Sequence, residues 1–240
     1  MITTAVILAA GKGTRMKELS AEQPKHVIEV ARRPFLFYLL DNLNQAGFKK
    51  LVVVVGYQKK IMVERLSNWS GLPMEIVDQT KYVPSGHYGT LCPIQAVEHL
   101  LAEESFVAVS GDNLYSSRDL GTMKTGGEFN YVAGLVHDHP EKYGVLIPDR
   151  DNYLQQIIEK PQTPVGNLIN TGLYSFTPEI FSILSEVTLS KRNEYELTDA
   201  VNILAKQGKV KIKKLNDYWL DFTKPDDVVI VDQFIKAGKL

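Results

Sequence analysis

The chain has almost no cysteine, no long apolar run and no excess of either charge. Its single cysteine, Cys92, excludes an internal disulfide. The longest apolar runs, residues 5–10 and 51–55, are far shorter than the roughly 18 residues that a membrane-spanning helix needs. The 27 basic and 28 acidic side chains give a formal net charge of −1, so no overall field attracts nucleic acid or an anionic membrane. No basic segment precedes the first apolar run, and a cytoplasmic protein is expected.

The composition is that of an ordinary globular protein, with 240 residues, 44% of them hydrophobic and 23% charged. Apolar runs without polar alternation at 5–10, 51–55 and 106–109 predict strands buried on both faces. Helical patterns are predicted from Pro34 to Gly47, over 58–69 and over 90–101. This alternation predicts βαβ units and a parallel sheet in the first half.

The second half has a different pattern. Residues 143–148 and 153–159 predict a hairpin across 149–152, and a strand at 168–176 follows it. A helix is predicted to start at 177–179, a second helix covers 194–207, and a strand covers 210–215. No linker or internal repeat divides the chain. We therefore predict one α/β domain over 1–240, a three-layer α/β/α Rossmann-like fold with a mostly parallel, mixed central sheet.

A glycine-rich, basic loop, Gly-Lys-Gly-Thr-Arg at 11–15, follows the first strand directly. Glycines let backbone N–H groups close on phosphate oxygens. The dinucleotide motif needs a third glycine where Met16 stands, and the loop does not have the spacing of a Walker A motif. A plain strand-to-helix turn would explain Gly11 and Gly13 alone. Two further cations, Arg15 and Lys25, favour a polyphosphate ligand.

Several short motifs carry a family resemblance. Residues 8–16 together with Pro-Lys at 24–25 resemble the motif of the sugar-1-phosphate nucleotidylyltransferases, although Glu-Leu-Ser at 18–20 replaces the usual Pro-Leu-Thr and His26 is a less usual neighbour of the lysine. The resemblance continues in order over nearly the whole chain. Its later motifs are Gly-Asp-Asn at 111–113, Glu-Lys-Pro at 159–161, Asn-Thr-Gly at 170–172 and Trp-Leu-Asp at 219–221.

The resemblance implies the nucleotidyltransferase fold and a set of site residues. The implied catalytic residues are Arg15, Lys25 and Asp112, and the implied Mg²⁺ ligands are Asp112 and Asp221. The implied nucleotide site consists of Leu8, Ala10, Gly11, Gly13, Thr14, Arg15, Lys25, Gln79, Gly89 and Asp112, mainly in residues 1–115. The implied sugar-phosphate site consists of Glu159, Lys160, Asn170, Thr171 and Gly172, mainly in residues 116–240. Asp217 competes with Asp221, because on a strand the two would share a face.

The base-binding region departs from the family pattern. Gln79 follows an apolar strand and offers both a donor and an acceptor to a pyrimidine edge. Family members place a Gly-Thr or Gly-Leu pair about five residues later, whereas Gly86 comes after seven residues and Gly89-Thr90 after ten. Residues 193–199, Asn-Glu-Tyr-Glu-Leu-Thr-Asp, resemble a segment of enzymes that join UTP or dTTP to glucose or N-acetylglucosamine 1-phosphate.

The expected reaction is nucleotidyl transfer from an NTP, with UTP or dTTP favoured, to a sugar 1-phosphate, with glucose 1-phosphate or N-acetylglucosamine 1-phosphate favoured. It gives an NDP-sugar and pyrophosphate. One alternative is a cytidylyltransferase that acts on choline phosphate or another alcohol phosphate. A second is a regulatory subunit that binds NDP-sugar without turnover. Only 19 residues follow Asp221, so no hexapeptide-repeat acetyltransferase domain is expected. A homo-oligomer is left open.

Overall fold

A computed structural model describes residues 1–240 and contains thirteen strands and eight α-helices. The strands are β1 Thr4–Ala9, β2 Glu29–Val30, β3 Arg33–Pro34, β4 Lys50–Val55, β5 Met74–Asp78, β6 Phe106–Ser110, β7 Asn113–Tyr115, β8 Asn130–Val136, β9 Gly144–Pro148, β10 Leu154–Glu159, β11 Leu168–Phe176, β12 Val210–Lys214 and β13 Trp219–Asp221. The helices are α1 Phe35–Gln45, α2 Lys59–Leu66, α3 Cys92–Ala96, α4 Glu98–Leu101, α5 Ser117–Thr122, α6 Glu179–Ser182, α7 Leu197–Lys206 and α8 Pro225–Lys236. None of these helices is long and apolar enough to cross a membrane.

Nine of the strands form one mixed sheet. Its main path is β10-β9-β11-β6-β1-β4-β5, and β8, with β12 beside it, pairs with β11. Strands β6, β1, β4 and β5 are mutually parallel, as the alternation of strands and helices in the first half predicts. The hairpin β9–β10 and the long strand β11 add the antiparallel pairings. The predicted mixed central sheet is confirmed.

Helices cover both faces of this sheet. Along β1, Ala5 and Ile7 belong to the core that packs against α1, α2, α5 and α8, whereas Val6 belongs to the core beneath α3, α4, α6 and α7. The parallel strands are buried on both faces because helices lie on both sides of them, which explains their unbroken apolar runs. The three-layer α/β/α fold predicted from the sequence is confirmed.

The strand order brings several motifs to one edge of the sheet. Leu8 of β1 lies opposite Ser110 of β6, so the glycine-rich loop and the Gly-Asp-Asn motif leave the sheet side by side. Strand β11 runs antiparallel to β6 and pairs Leu173 with Val109, which places residues 170–172 at the same edge. Carboxyl ends of parallel strands are where open α/β sheets bind ligands.

Two predicted helices differ from the observed ones. The segment 90–101 is broken into α3 and α4 because Val97 has φ −101° and ψ 0°, outside the helical range. Helix α7 begins at Leu197 rather than at residue 194, because Tyr195 is held by backbone hydrogen bonds to Tyr88 and Leu91. Cys92 is buried, and burial raises the pKa of its thiol to about 11.

Candidate active site

One cleft of about 470 Å³ at the carboxyl edge of β1 and β6 contains every site residue implied by the motifs. Its lining includes Leu8, Ala10, Gly11, Gly13, Thr14, Arg15, Lys25, Gln79, Gly89, Asp112, Glu159, Lys160, Asn170, Thr171, Gly172 and Asp221. These residues come from eight separate parts of the chain. The structure therefore brings the predicted nucleotide, sugar-phosphate and metal residues together, while their individual roles stay predictions.

The glycine-rich loop is held in one shape by short-range contacts. Gly13 has φ +64°, and its carbonyl accepts both the Met16 N–H at 2.9 Å and the Ser20 hydroxyl at 2.9 Å. The Ser20 hydroxyl also lies 3.3 Å from the carbonyl of Lys17, whose φ of 53° is in the left-handed region. Met16 and Ser20 are buried, whereas Arg15 is exposed toward the cleft. Buried anchors thus hold a loop whose backbone and cation face a ligand.

Lys25 lies under this loop and forms an ion pair with Asp112. A Cβ at position 13 would lie 3.2 Å from the Lys25 Cγ, so glycine is needed for the loop to pack on the lysine side chain. Burial is the largest influence on the Asp112 carboxyl and raises its pKa, but the charge and the hydrogen bond of Lys25, with smaller contributions from His26 and a backbone hydrogen bond, together hold that pKa below its usual value. Next to them, burial and then the charge of Lys25 lower the pKa of His26 to about 3, so its imidazole is neutral at pH 7.

Asp112 and Asp221 are placed side by side by a small ladder outside the main sheet. Strand β13 pairs antiparallel with β7, with Asp221 opposite Asn113, and the Phe222 N–H donates to the Asp112 carbonyl at 2.8 Å. Burial, followed by the charges of Asp112 and Asp227, raises the pKa of Asp221 to about 6. Two carboxylates that repel each other in a partly buried position favour a cation between them.

Asp217, the competing candidate for the Asp221 role, lies elsewhere. It is exposed, it does not line the cleft, and its carboxylate accepts the Tyr218 N–H at 2.8 Å. The geometry therefore favours Asp221.

The Glu-Lys-Pro motif lies at the end of β10. Lys160 has φ 43°, and its N–H donates to the Tyr143 carbonyl at 3.0 Å, which ties the motif to the neighbouring strand. A Cβ at Gly144 would lie 3.0 Å from the Glu159 Oε2, so glycine leaves room for that carboxylate beside the cleft.

The Asn-Thr-Gly motif forms an irregularity in β11, where the pairing with β8 shifts between Asn170 and Tyr174. Gly172 has φ +76°, and a Cβ there would lie 2.4 Å from the Ser110 Oγ. The Asn170 amide donates to the Tyr174 hydroxyl at 2.7 Å. Thr171 is buried and its hydroxyl donates to the Ala133 carbonyl, so this side chain stabilises the irregular strand.

Gln79 lies just after β5, in a turn closed by the Asp78 side chain, which accepts the Thr80 N–H at 3.1 Å. Its Oε1 is buried and has no hydrogen-bond partner. A buried acceptor without a partner costs about 1–3 kcal/mol. A turn of this side chain toward the cleft would let an N–H group of a ligand satisfy the oxygen.

The cleft is lined by six cationic and five acidic side chains. Two of the cations, Lys25 and Arg192, form ion pairs with acids of the cleft. The four cations without an ion pair are Lys12, Arg15, Lys142 and Lys160, and the acids without one are Glu194 and Asp221. Four cations that are free to contact a ligand suit one with several phosphate groups.

Sequence reasoning missed several residues that line the cleft. Asn113 is 7% exposed and its Oδ1 has no hydrogen-bond partner. Arg192 extends into the cleft from the segment before α7, and Tyr143 and Trp219 pack edge to face at 5.5 Å on the sugar side. The neighbouring motifs at 111–113 and 193–199 were the available signal for Asn113 and Arg192, whereas Tyr143 had none.

A second, wider depression of about 760 Å³ lies between α2 and β5. Its lining includes Val63, Trp69 and Ile76 and contains no ionisable side chain. With no charged group to bind or polarise a phosphate, it does not fit the chemistry of the motifs.

The chain matches the family model for nucleotidyl transferases over residues 4–238. It is 33% identical over 230 residues to the UTP–glucose-1-phosphate uridylyltransferase AglF of Haloferax volcanii, covering 93% of this chain and 92% of that protein. It is 32% identical over 231 residues to a bifunctional sugar-1-phosphate nucleotidylyltransferase/acetyltransferase of Sulfurisphaera tokodaii, covering 96% of this chain but 55% of that protein.

Solved structures show the same fold. A UDP-glucose pyrophosphorylase in complex with UDP-glucose superposes with a TM-score of 0.86 and 23% identity, covering 99% of this chain and all of that one. A putative glucose-1-phosphate thymidylyltransferase from Bacillus anthracis superposes with a TM-score of 0.79 and 22% identity, covering 98% of this chain and 95% of that one. The motif resemblance is confirmed, and the chain belongs to the nucleotidyl transferase family, among its sugar-1-phosphate nucleotidyltransferases.

Proposed function

We propose that this enzyme transfers a nucleotidyl group from UTP or dTTP to glucose 1-phosphate or N-acetylglucosamine 1-phosphate and releases pyrophosphate. Residues 1–115 mainly bind the nucleotide and residues 116–240 mainly bind the sugar phosphate. The observation that carries the proposal is that one cleft is lined by Asp112, Asp221 and four cations without an ion pair. The relative AglF, named for UTP and glucose 1-phosphate, supports this choice of substrates.

The reaction needs no general base. A phosphate monoester has a second pKa near 6, so the sugar phosphate is largely dianionic at pH 7 and its oxygen attacks the α-phosphorus directly. A new phosphorus–oxygen bond forms, the bond from the α-phosphorus to the bridging oxygen breaks, and the electron pair leaves with pyrophosphate. The protein must align the groups in line and neutralise phosphates that repel one another.

Three cationic residues bind different phosphate groups of the two substrates. Lys25, held against Asp112 beneath the loop, neutralises the α-phosphate, where charge develops. Arg15 and the loop amides bind the leaving pyrophosphate, because the Arg15 guanidinium has no acidic partner and faces the cleft. Lys160, which lines the same cleft just after β10, holds the attacking phosphate.

Magnesium is the expected cofactor, and the donor set fits it. No group of three or more His, Cys, Asp or Glu side chains could hold a metal alone, but Mg²⁺ commonly takes one or two carboxylates and completes its shell with phosphates and water. Burial, followed by the charges of Asp112 and Asp227, raises the pKa of Asp221 to about 6, and a cation beside the carboxyl would favour its ionised form. Asp112 and Asp221 would hold Mg²⁺, which neutralises phosphate charge when bound.

The base preference rests on Gln79. A turn of the Gln79 side chain toward the cleft would let its Oε1, which is now buried and unpaired, accept the N3–H of uracil or thymine while its amide N–H₂ donates to O4. The ten-residue distance from Gln79 to Gly89 is the feature that supports the alternative, a cytidylyltransferase acting on an alcohol phosphate.

Pyrophosphate release from a matrix of NTPs and acceptors tests the proposal. The acceptors are glucose 1-phosphate, N-acetylglucosamine 1-phosphate and choline phosphate, and the expected best pair contains UTP or dTTP and a sugar. Lys25→Ala should lower kcat about 100-fold or more, whereas the exposed Lys49→Ala should leave it unchanged. A preference for CTP and choline phosphate would favour the alternative, and NDP-sugar binding without turnover would favour a regulatory subunit.

A further inference from the structure

The loop that carries Gly89 is joined to the segment before α7 by a backbone seam. The seam consists of residues 86–91 and residues 190–197. The Tyr195 N–H donates to the Tyr88 carbonyl at 2.8 Å, and the Leu91 N–H donates to the Tyr195 carbonyl at 3.0 Å. Gly89 has φ +137°, and a Cβ there would lie 2.2 Å from the Tyr195 oxygen, so only glycine permits this approach.

Thr90 extends the seam through its side chain. Its hydroxyl accepts the Leu197 N–H, the first of helix α7, at 2.9 Å and lies 3.4 Å from the Glu196 Oε2, to which it can donate. A residue of the nucleotide half therefore caps a helix of the sugar half, satisfying a helix N–H that has no partner within the helix.

Glu196 is the centre of this arrangement. It is 5% exposed, and its Oε1 accepts the Ser190 hydroxyl at 3.2 Å and the Arg192 Nε at 3.1 Å. The Arg192 Nη2 lies 2.9 Å from the same carboxylate and 3.7 Å from the Glu159 Oε1 on the sugar wall. One buried carboxylate thus connects the loop at Thr90 with the cationic group beside Glu159.

We propose that Glu196 is a positioning residue that couples the binding of the two substrates. The inference rests on the proposed function. Through Thr90 the carboxylate fixes the loop that bounds the nucleotide, and through Arg192 it fixes a cation at the sugar-phosphate wall. The ligand that binds first orders both the loop at Thr90 and the Arg192 side chain. The second ligand therefore loses less conformational entropy when it binds, and its affinity is higher.

The coupling is measured with a pair that cannot react, an α,β-methylene NTP and glucose 1-phosphate. The dissociation constant of the NTP analogue is determined by calorimetry with and without the sugar phosphate, and the ratio of the two values is the coupling factor. Reciprocity requires the same factor when the order is reversed. We expect a factor of about 5 or more in the native enzyme, in the usual range for coupled sites.

Glu196→Gln keeps the size and an acceptor oxygen but removes the ion pair with Arg192. We expect its coupling factor to fall to about 1 while each separate dissociation constant changes less than tenfold. The matched control is Glu186→Gln, the same acid-to-amide change at an exposed side chain that does not line the cleft. Glu186→Gln should keep the native coupling factor.

A second pair of variants guards against misfolding of Glu196→Gln. Thr90→Val removes the hydroxyl and should also lose coupling, whereas Thr90→Ser retains the hydroxyl and should keep it. Two results would overturn the inference while leaving the proposed function intact, provided that the enzyme still releases pyrophosphate. They are a coupling factor near 1 in the native enzyme, and an unchanged coupling factor in both Glu196→Gln and Thr90→Val. If no NTP and sugar phosphate react, the proposed function fails and the inference fails with it.

Discussion

Replacing Asp221 by asparagine should stabilise the metal-free fold while nearly abolishing turnover. Burial and the charges of Asp112 and Asp227 raise the pKa of the Asp221 carboxyl from 3.8 to about 6. The folded chain therefore holds this proton more tightly than the unfolded chain. Ionisation of Asp221 opposes folding by about 3 kcal/mol, from about two pKa units at 1.36 kcal/mol each.

The direction of the pH dependence follows from the raised pKa. Below about pH 3 the carboxyl is protonated in both states and the penalty is absent, and it grows as the pH rises from about 3 through 6. Asparagine carries no charge at any pH. The variant should therefore exceed the native chain in stability by up to about 3 kcal/mol at pH 8 and by less than about 1 kcal/mol at pH 4.

Urea unfolding in the presence of EDTA at pH 4, 6 and 8 measures this difference. Asp217→Asn is the matched control, because Asp217 is exposed and lies outside the cleft, and it should show no such gain. Adding Mg²⁺ at pH 8 should then stabilise the native chain but not Asp221→Asn, because only the native chain keeps both carboxylates. A variant that is less stable than the native chain at pH 8, or equally stabilised at pH 4 and 8, would refute this reasoning.

Three further variants test the walls of the cleft. Lys160→Ala should raise KM for the sugar phosphate about tenfold or more and leave the affinity for NTP, measured by calorimetry, nearly unchanged. An equal loss of affinity for both ligands would show that Lys160 does not act on the sugar phosphate alone. Gln79→Ala should reduce discrimination among bases about 10- to 100-fold, since losing one buried partner costs about 1–3 kcal/mol, and kcat/KM for each NTP checks this. Gly172→Ala should lower the free energy of unfolding by at least about 1 kcal/mol, because Gly172 has φ +76° and the new Cβ would lie 2.4 Å from the Ser110 Oγ. A free energy of unfolding in urea equal to that of the native chain would contradict this prediction.

The parts of the site that a short motif specifies were predictable from the sequence. The glycine-rich loop follows an unbroken apolar run, and Asp112 follows another, so strand periodicity alone places both at the carboxyl edge of a sheet. The parts set by distant contacts were not predictable. Helix α7 begins at Leu197 because Tyr195 binds residues more than a hundred positions away, and nothing in the local pattern signals that contact. The hydrogen bond from the Thr171 hydroxyl to the Ala133 carbonyl could not be predicted either, because it forms where the pairing of β11 with β8 shifts.

The small ladder between β7 and β13 has a consequence for how the enzyme comes into being. Asp112 and Asp221 meet only when a segment near the end of the chain pairs with one near its middle. Contacts across such a long stretch form late, because the entropy of closing the intervening loop is lost before the contact repays it. A nascent chain that has already folded its parallel strands would therefore still be inactive. During refolding, the protein should regain its secondary structure before its activity.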